Sequence, residues 1–154
     1  MNLNIIHHIA IIVSDYQKSR HFYVDLLGFK VLRENHRPEK NDYKLDLKLG
    51  DCELEIFGKP DAPKRVGQPE YPSEACGLRH LAFKVDCIED TVAELKALGI
   101  ECEPIRLDTF TNKKMTFFKD PDGLPLEFPK KMIQYVSSFF LTTMINFNLL
   151  LIIV

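Results

Sequence analysis

The chain has 154 residues, enough for one domain with a real core. Twenty Lys and Arg against 22 Asp and Glu leave a net charge of −2, and with no basic stripe this excludes a nucleic-acid binder. Cys52, Cys76, Cys87 and Cys102 lack CxxC spacing and no signal-peptide pattern precedes them, which predicts mostly buried, reduced thiols in a cytoplasmic protein.

Residues 5–13 are almost continuously apolar and β-branched, the pattern of a strand covered on both faces. Ser14 with Gln17 then forms a capping box. Tyr16, Ser19, Phe22, Tyr23, Leu26 and Leu27 follow at helical spacing, and Gly28 supplies the stop. Strand-like runs come next at 29–33, 43–49 and 53–57. After a proline-interrupted linker over 59–77, the same order returns. A strand over 78–85 leads to a helix capped by Asp86 and Glu89. Its stripe is Ile88, Val92, Leu95 and Leu98, and Gly99 ends it. Strands follow at 100–107, 114–118 and 124–128. Gly50-Asp51 and Asp120-Pro121-Asp122-Gly123 are tight reversals. The reading is an α+β fold of two βαβββ modules, about 5–58 and 78–128, within a domain at 1–131.

The repeat extends to the residues that carry chemistry. His8 precedes Glu55 by 47 residues, and His80 precedes Glu127 by the same 47; the second pair lies 72 residues after the first. At that offset Ala10 meets Ala82, Val13 meets Val85, and Leu54-Glu55-Ile56 meets Leu126-Glu127-Phe128. A lone His or Glu is ordinarily structural, but a pair repeated with its surroundings is a candidate metal set. Two imidazoles and two carboxylates suit a divalent ion, Zn or Ni ahead of Mn or Fe. They would leave open positions on an octahedral ion for waters or for two vicinal oxygens of a small substrate.

The motifs HHIAIIVSD, FYVDLLGF, LEIF, LRHLAFKVD and FFKDPDGLPLEF resemble the vicinal oxygen chelate superfamily over about residues 5–128. Its members include glyoxalase I, bleomycin and fosfomycin resistance proteins, and extradiol dioxygenases. The resemblance implies a curved mixed sheet cupping a metal, commonly with modules paired across a homodimer. It also implies that His8, Glu55, His80 and Glu127 are the ligands. Four ligands resemble glyoxalase I, a carbon–sulfur lyase (lactoylglutathione lyase) that isomerises a hemithioacetal through a metal-held enediolate. By that likeness Glu127 is the general base first, with Glu55 the other candidate. One departure bears on the substrate: the arginine and asparagine that face glutathione in glyoxalase I are Ile12 and Lys59 here, which puts glutathione in question. The alternatives are a resistance-type protein that binds a small molecule or drug without catalysis, and then an extradiol dioxygenase, which Glu55 disfavours.

Weaker expectations complete the reading. Tyr43, Asp46, Arg106, Lys113 and Lys114 are candidate substrate residues, and the Phe110-Thr111 tip a candidate lid. Alternation turns His7 away from His8. His21 and His36 are read as solvated. Residues 132–154 hold no charged residue or histidine, and 16 of the 23 are apolar. They read as an atypical end from a shifted reading frame, ahead of a helix packing on the domain or a partner, or a membrane anchor flanked by Lys130-Lys131.

Overall fold

Alternation of side chains along the strands sorts this chain into two sheets with one greasy face each. In the computed structural model, which describes residues 1, 3–67 and 74–129, the order is βαβββ twice. The first module contains β1 His8–Val13, α1 Tyr16–Arg20 running on into a π-helical segment His21–Leu26, β2 Val31–Arg37, β3 Asp42–Leu49 and β4 Cys52–Gly58. The second contains β5 Leu81–Ala82, α2 Ile88–Ala97, β6 Arg106–Leu107, β7 Lys114–Lys119 and β8 Pro125–Pro129. The sheets run β1-β4-β3-β2 and β5-β8-β7-β6. In each, the first and last strands pair in parallel and the rest antiparallel.

The core lies on one side of each sheet. Leu45, Leu47, Leu54 and Ile56 are fully buried on the first, and Phe118, Leu126 and Phe128 are buried on the second. Tyr16, Phe22 and Tyr23 from the first helical segment, and Ile88, Val92 and Leu95 from α2, cover these faces. Each such aliphatic side chain contributes about 1.5–3 kcal/mol on burial, as an upper bound. Gly58 is required by a close approach: a Cβ there would lie 2.7 Å from the Cβ of Tyr16.

Several local expectations need correction. The strand over 5–13 begins only at His8 and is covered on one face; Ile12 is 64% exposed, and Ile5 and Ile6 are exposed before it. The reason is position, since β1 is an edge strand hydrogen-bonded to β4 alone. Asp15, not Ser14, caps α1, accepting from the Lys18 N–H at 3.1 Å. Ser14 instead donates its N–H and hydroxyl to Asp122 at 2.9 and 2.5 Å. Cys87 replaces Asp86 at the cap of α2, and Leu98 at its end is 47% exposed. The run 100–107 pairs only through Cys102 and β6. The four thiols are free, with Cys76 exposed and the other three half-buried.

Turn chemistry joins the modules. Asp120 accepts from the N–H groups of Asp122 and Leu124 at 3.0 and 2.7 Å, which closes the Asp-Pro-Asp-Gly reversal. Its other oxygen accepts from the Tyr23 hydroxyl at 2.9 Å. Among the described residues no helix is long and apolar enough to cross a membrane. Residues 132–154 lie outside them.

Candidate metal centre

Parallel pairing sets the geometry of each His–Glu pair. Ala10 on β1 faces Glu55 on β4, and Ala82 on β5 faces Glu127 on β8, so the duplication seen in the sequence is a duplication of register. His8 opens β1 and His80 immediately precedes β5, two residues before each alanine and so on the same face. His8 Nε2 lies 3.9 Å from Glu55 Oε2, and His80 Nε2 lies 3.1 Å from Glu127 Oε2. Two donors bound to one ion at about 2.1 Å lie about 3.0–3.5 Å apart; the His80–Glu127 pair at 3.1 Å meets that spacing, and the His8–Glu55 pair at 3.9 Å is slightly wide of it. The glutamate side chains are 14% and 15% exposed and the imidazoles 45% and 30%, while His80 Nδ1 is buried without a hydrogen-bond partner among the described residues.

The two halves do not close on one another. Among the described residues, no three of these four candidate side chains have donor atoms within 4.8 Å of one another; the group that does is Asp46, Glu53 and Glu55. Two cations thread that acidic group. Arg33 donates from Nε to Asp46 Oδ2 at 2.7 Å and from Nη2 to Glu53, while Lys44 Nζ donates to Glu55 Oε1 at 2.7 Å and sits 3.0 Å from Asp46 Oδ1. A β-bulge between Val31 and Arg33 makes this possible, because it brings Arg33 opposite Asp46 instead of the core residue Leu45. Burial pushes the Asp46 carboxyl up, but Arg33 and Lys44 together hold it below its ordinary value. Hydrogen bonding to Glu55, with Asp46 beside it, holds the Lys44 ammonium above the ordinary lysine value.

The second half has other surroundings. Glu127 faces Phe117 across β7–β8, and the Phe117 ring meets His80 edge-on at 5.6 Å. Arg106 lies over the same ring at 5.3 Å and pairs with Glu103 at 2.6 Å, which puts it on the Glu127 face. Asp46 stands on the same face as Glu55, directly opposite it.

The other candidates fall elsewhere. Tyr43 pairs with Gly58 on the face away from Glu55 and stacks between Tyr16 and His36 at 4.6 and 4.5 Å. Lys114 points to the helix side, where it pairs with Glu89. Lys113 ends the hairpin loop, its carbonyl accepting from the Asp108 N–H at 2.8 Å. Alternation explains the first two: one step along a strand reverses the face. Phe110 is 96% exposed on a loop tip pinned by Asp108, which accepts from the Phe110 and Thr111 N–H groups. His7 does not turn away from His8; it precedes the strand, escapes the alternation, and brings its Nδ1 2.9 Å from His8 Nδ1. His21 is exposed and meets Asp25 at 2.9 Å, and His36 is exposed under Tyr43.

A duplicated βαβββ frame with a duplicated His–Glu register narrows the relatives sharply. The family model for the Glyoxalase/Bleomycin resistance protein/Dioxygenase superfamily matches residues 5–128. The chain belongs to this superfamily. Within the superfamily it is 56% identical to the uncharacterized protein YwkD of Bacillus subtilis over 82% of this chain and 97% of that one. The crystal structure of the glyoxalase family protein from Enterococcus faecalis is 62% identical, with a TM-score of 0.77 over 84% of this chain and 99% of that chain. The lactoylglutathione lyase of Haemophilus influenzae is 30% identical over 79% of this chain and 88% of that protein. The superfamily therefore includes enzymes related to this chain at moderate distance and uncharacterized proteins related at close range.

Proposed function

We propose that this protein is a metal-dependent lyase or isomerase of glyoxalase I type acting on a small α-oxo substrate such as a hemithioacetal. The observation that carries this reading is the repeated pair, with His8 Nε2 toward Glu55 Oε2 and His80 Nε2 toward Glu127 Oε2. A pocket that only sequesters a drug has no need of two such halves. When bound, a divalent ion, Zn or Ni before Mn or Fe, would polarise a substrate carbonyl and stabilise the charge building on its oxygen.

A second copy of the chain is the natural source of the missing half. Among the described residues the two pairs stay apart, while the outer face of β1, which carries His8 and Ile12, is exposed. The sequence of that strand reads as covered on both faces. A homodimer that sets the first module of one copy against the second module of the other supplies the cover and completes the four-ligand set.

Within that site the proton falls to Glu127. A base must be free to take the hydrogen from the carbon beside the carbonyl and return it to the neighbouring carbon. Glu127 has His80 beside it and Phe117 opposite, and no ion pair to a Lys or Arg among the described residues, whereas Glu55 is tied to Lys44. Asp46, on the face of Glu55, braces Lys44, and Arg106, held by Glu103, is the cation we assign to an anionic part of the substrate.

The deciding experiment is metal analysis of purified protein followed by hemithioacetal turnover with several thiols, before and after chelation. Turnover lost with the ion and restored on reloading supports the lyase. Ligand binding that survives chelation without turnover favours the binding protein.

A further inference from the structure

The duplicated strands carry opposite chemistry around their glutamates. On the first sheet Glu55 faces Asp46, and Phe57 two residues on faces Lys44. On the second, Glu127 faces Phe117, and Pro129 two residues on faces Met115. Equivalent places thus hold an ammonium and a carboxylate in one copy, a thioether and a phenyl ring in the other. Lys44 also divides the two oxygens of Glu55: Nζ holds Oε1 at 2.7 Å, and Oε2 is the oxygen turned toward His8. The lysine is itself braced, 3.0 Å from an Asp46 that is almost wholly buried and bonded to Arg33 at 2.7 Å.

We propose that Lys44 is a positioning residue that makes Glu55 a fixed, one-oxygen ligand and holds down the affinity of the site for its ion. This rests on the metal reading above and adds a division of labour to it. Asp46 is not the sole partner of Lys44, whose shorter contact is to Glu55, at 2.7 Å against 3.0 Å. An ammonium on Oε1 does two things. It would stop Glu55 from turning both oxygens to the ion, and it would place a positive charge one carboxylate group away from a divalent cation held on Oε2. The repulsion of a single and a double charge at that range, even at an effective dielectric of about 20, exceeds the cost of ordering one glutamate side chain. Removing the charge therefore tightens metal binding, although it also loosens the ligand.

The test uses Co2+ as probe on the full chain, with titration calorimetry and the visible absorption of the bound ion. Lys44→Met is expected to bind Co2+ at least about tenfold tighter. Its absorption band should weaken as the second oxygen of Glu55 joins the shell. Lys44→Arg should return both toward wild type, which a purely structural role would not require. If Lys44→Met melts early, Lys44→Gln gives the same comparison with a polar chain. Affinity equal to or weaker than wild type, or an unaltered spectrum, overturns the proposal. His8→Ala and His80→Ala run alongside: Co2+ binding indifferent to both takes down the metal reading itself, whereas binding that needs them but ignores Lys44 takes down only this inference.

Discussion

Tyr23 donates its hydroxyl to Asp120 at 2.9 Å across 97 residues of chain, and the bond is buried. It docks the helix of the first module on the Asp-Pro-Asp-Gly turn of the second, beside the bond from Ser14 to Asp122. Burial pushes the Asp120 carboxyl up, so the loss of the tyrosine hydroxyl falls on a group poorly reached by solvent. Tyr23→Phe keeps the ring packing and removes the hydroxyl. The expected loss is about 1–3 kcal/mol, read as a fall in melting temperature of roughly 3–10 °C. No change in melting temperature would mean that the turn docks by packing alone.

Asp42 gives a dependence on acid. Arg37 holds it from two nitrogens at 2.7 Å each and Lys59 pairs with it, which lowers its carboxyl to about 2 from an ordinary 3.8. A carboxyl lowered on folding stabilises the fold when ionised, so its contribution is present above about pH 4 and is lost as pH falls toward 2. Asp42→Asn is expected to melt below wild type at pH 7. The gap should close between about pH 4 and 2, which a series of thermal melts reads directly. A gap independent of pH would assign the effect to packing.

Much of this was legible in the sequence, and the parts that were not have physical reasons. The paired positions His8–Glu55 and His80–Glu127 could be read from a fixed offset because parallel register repeats with the strands. The buried stripe Ile88, Val92 and Leu95 follows from helical period. Ser14 looked like a cap since its true partner, Asp122, lies 108 residues away. The bulge that brings Arg33 to Asp46 has no glycine or proline to announce it. Lys44 carries no signal in the sequence, because one lysine in an alternating strand is ordinarily a solvated face. Tyr43 and Lys114 were placed one face wrong, since composition does not tell which way an isolated strand residue turns. The apolar run before and through β1 was read as doubly covered, and a single chain covers it once.

Glu127→Gln separates binding from proton transfer. The amide oxygen can still coordinate, but the amide is no base. Activity per bound ion is expected to fall by at least about 100-fold, with some metal retained. An unchanged value per ion would remove Glu127 from the proton step and return attention to Glu55.

Methylglyoxal with glutathione is expected to be a poor substrate. Lys59 is engaged by Asp42, and Ile12 is exposed on the same face of β1 as His8, so neither supplies the cation a peptide carboxylate needs. Saturation kinetics with glutathione against smaller thiols test this. High efficiency with glutathione would make the protein an ordinary glyoxalase I.

The proposed site takes His8 and Glu55 from one copy and His80 and Glu127 from another. It is tested by combining two inactive variants, His8→Ala/Glu55→Ala and His80→Ala/Glu127→Ala, and purifying the mixed dimer with two different tags. Neither variant alone should hold an ion at this site. The mixed dimer contains one complete set, so about one ion per dimer and partial turnover should return. A mixed dimer that stays without ion and activity, from variants that each fold, would contradict the shared site.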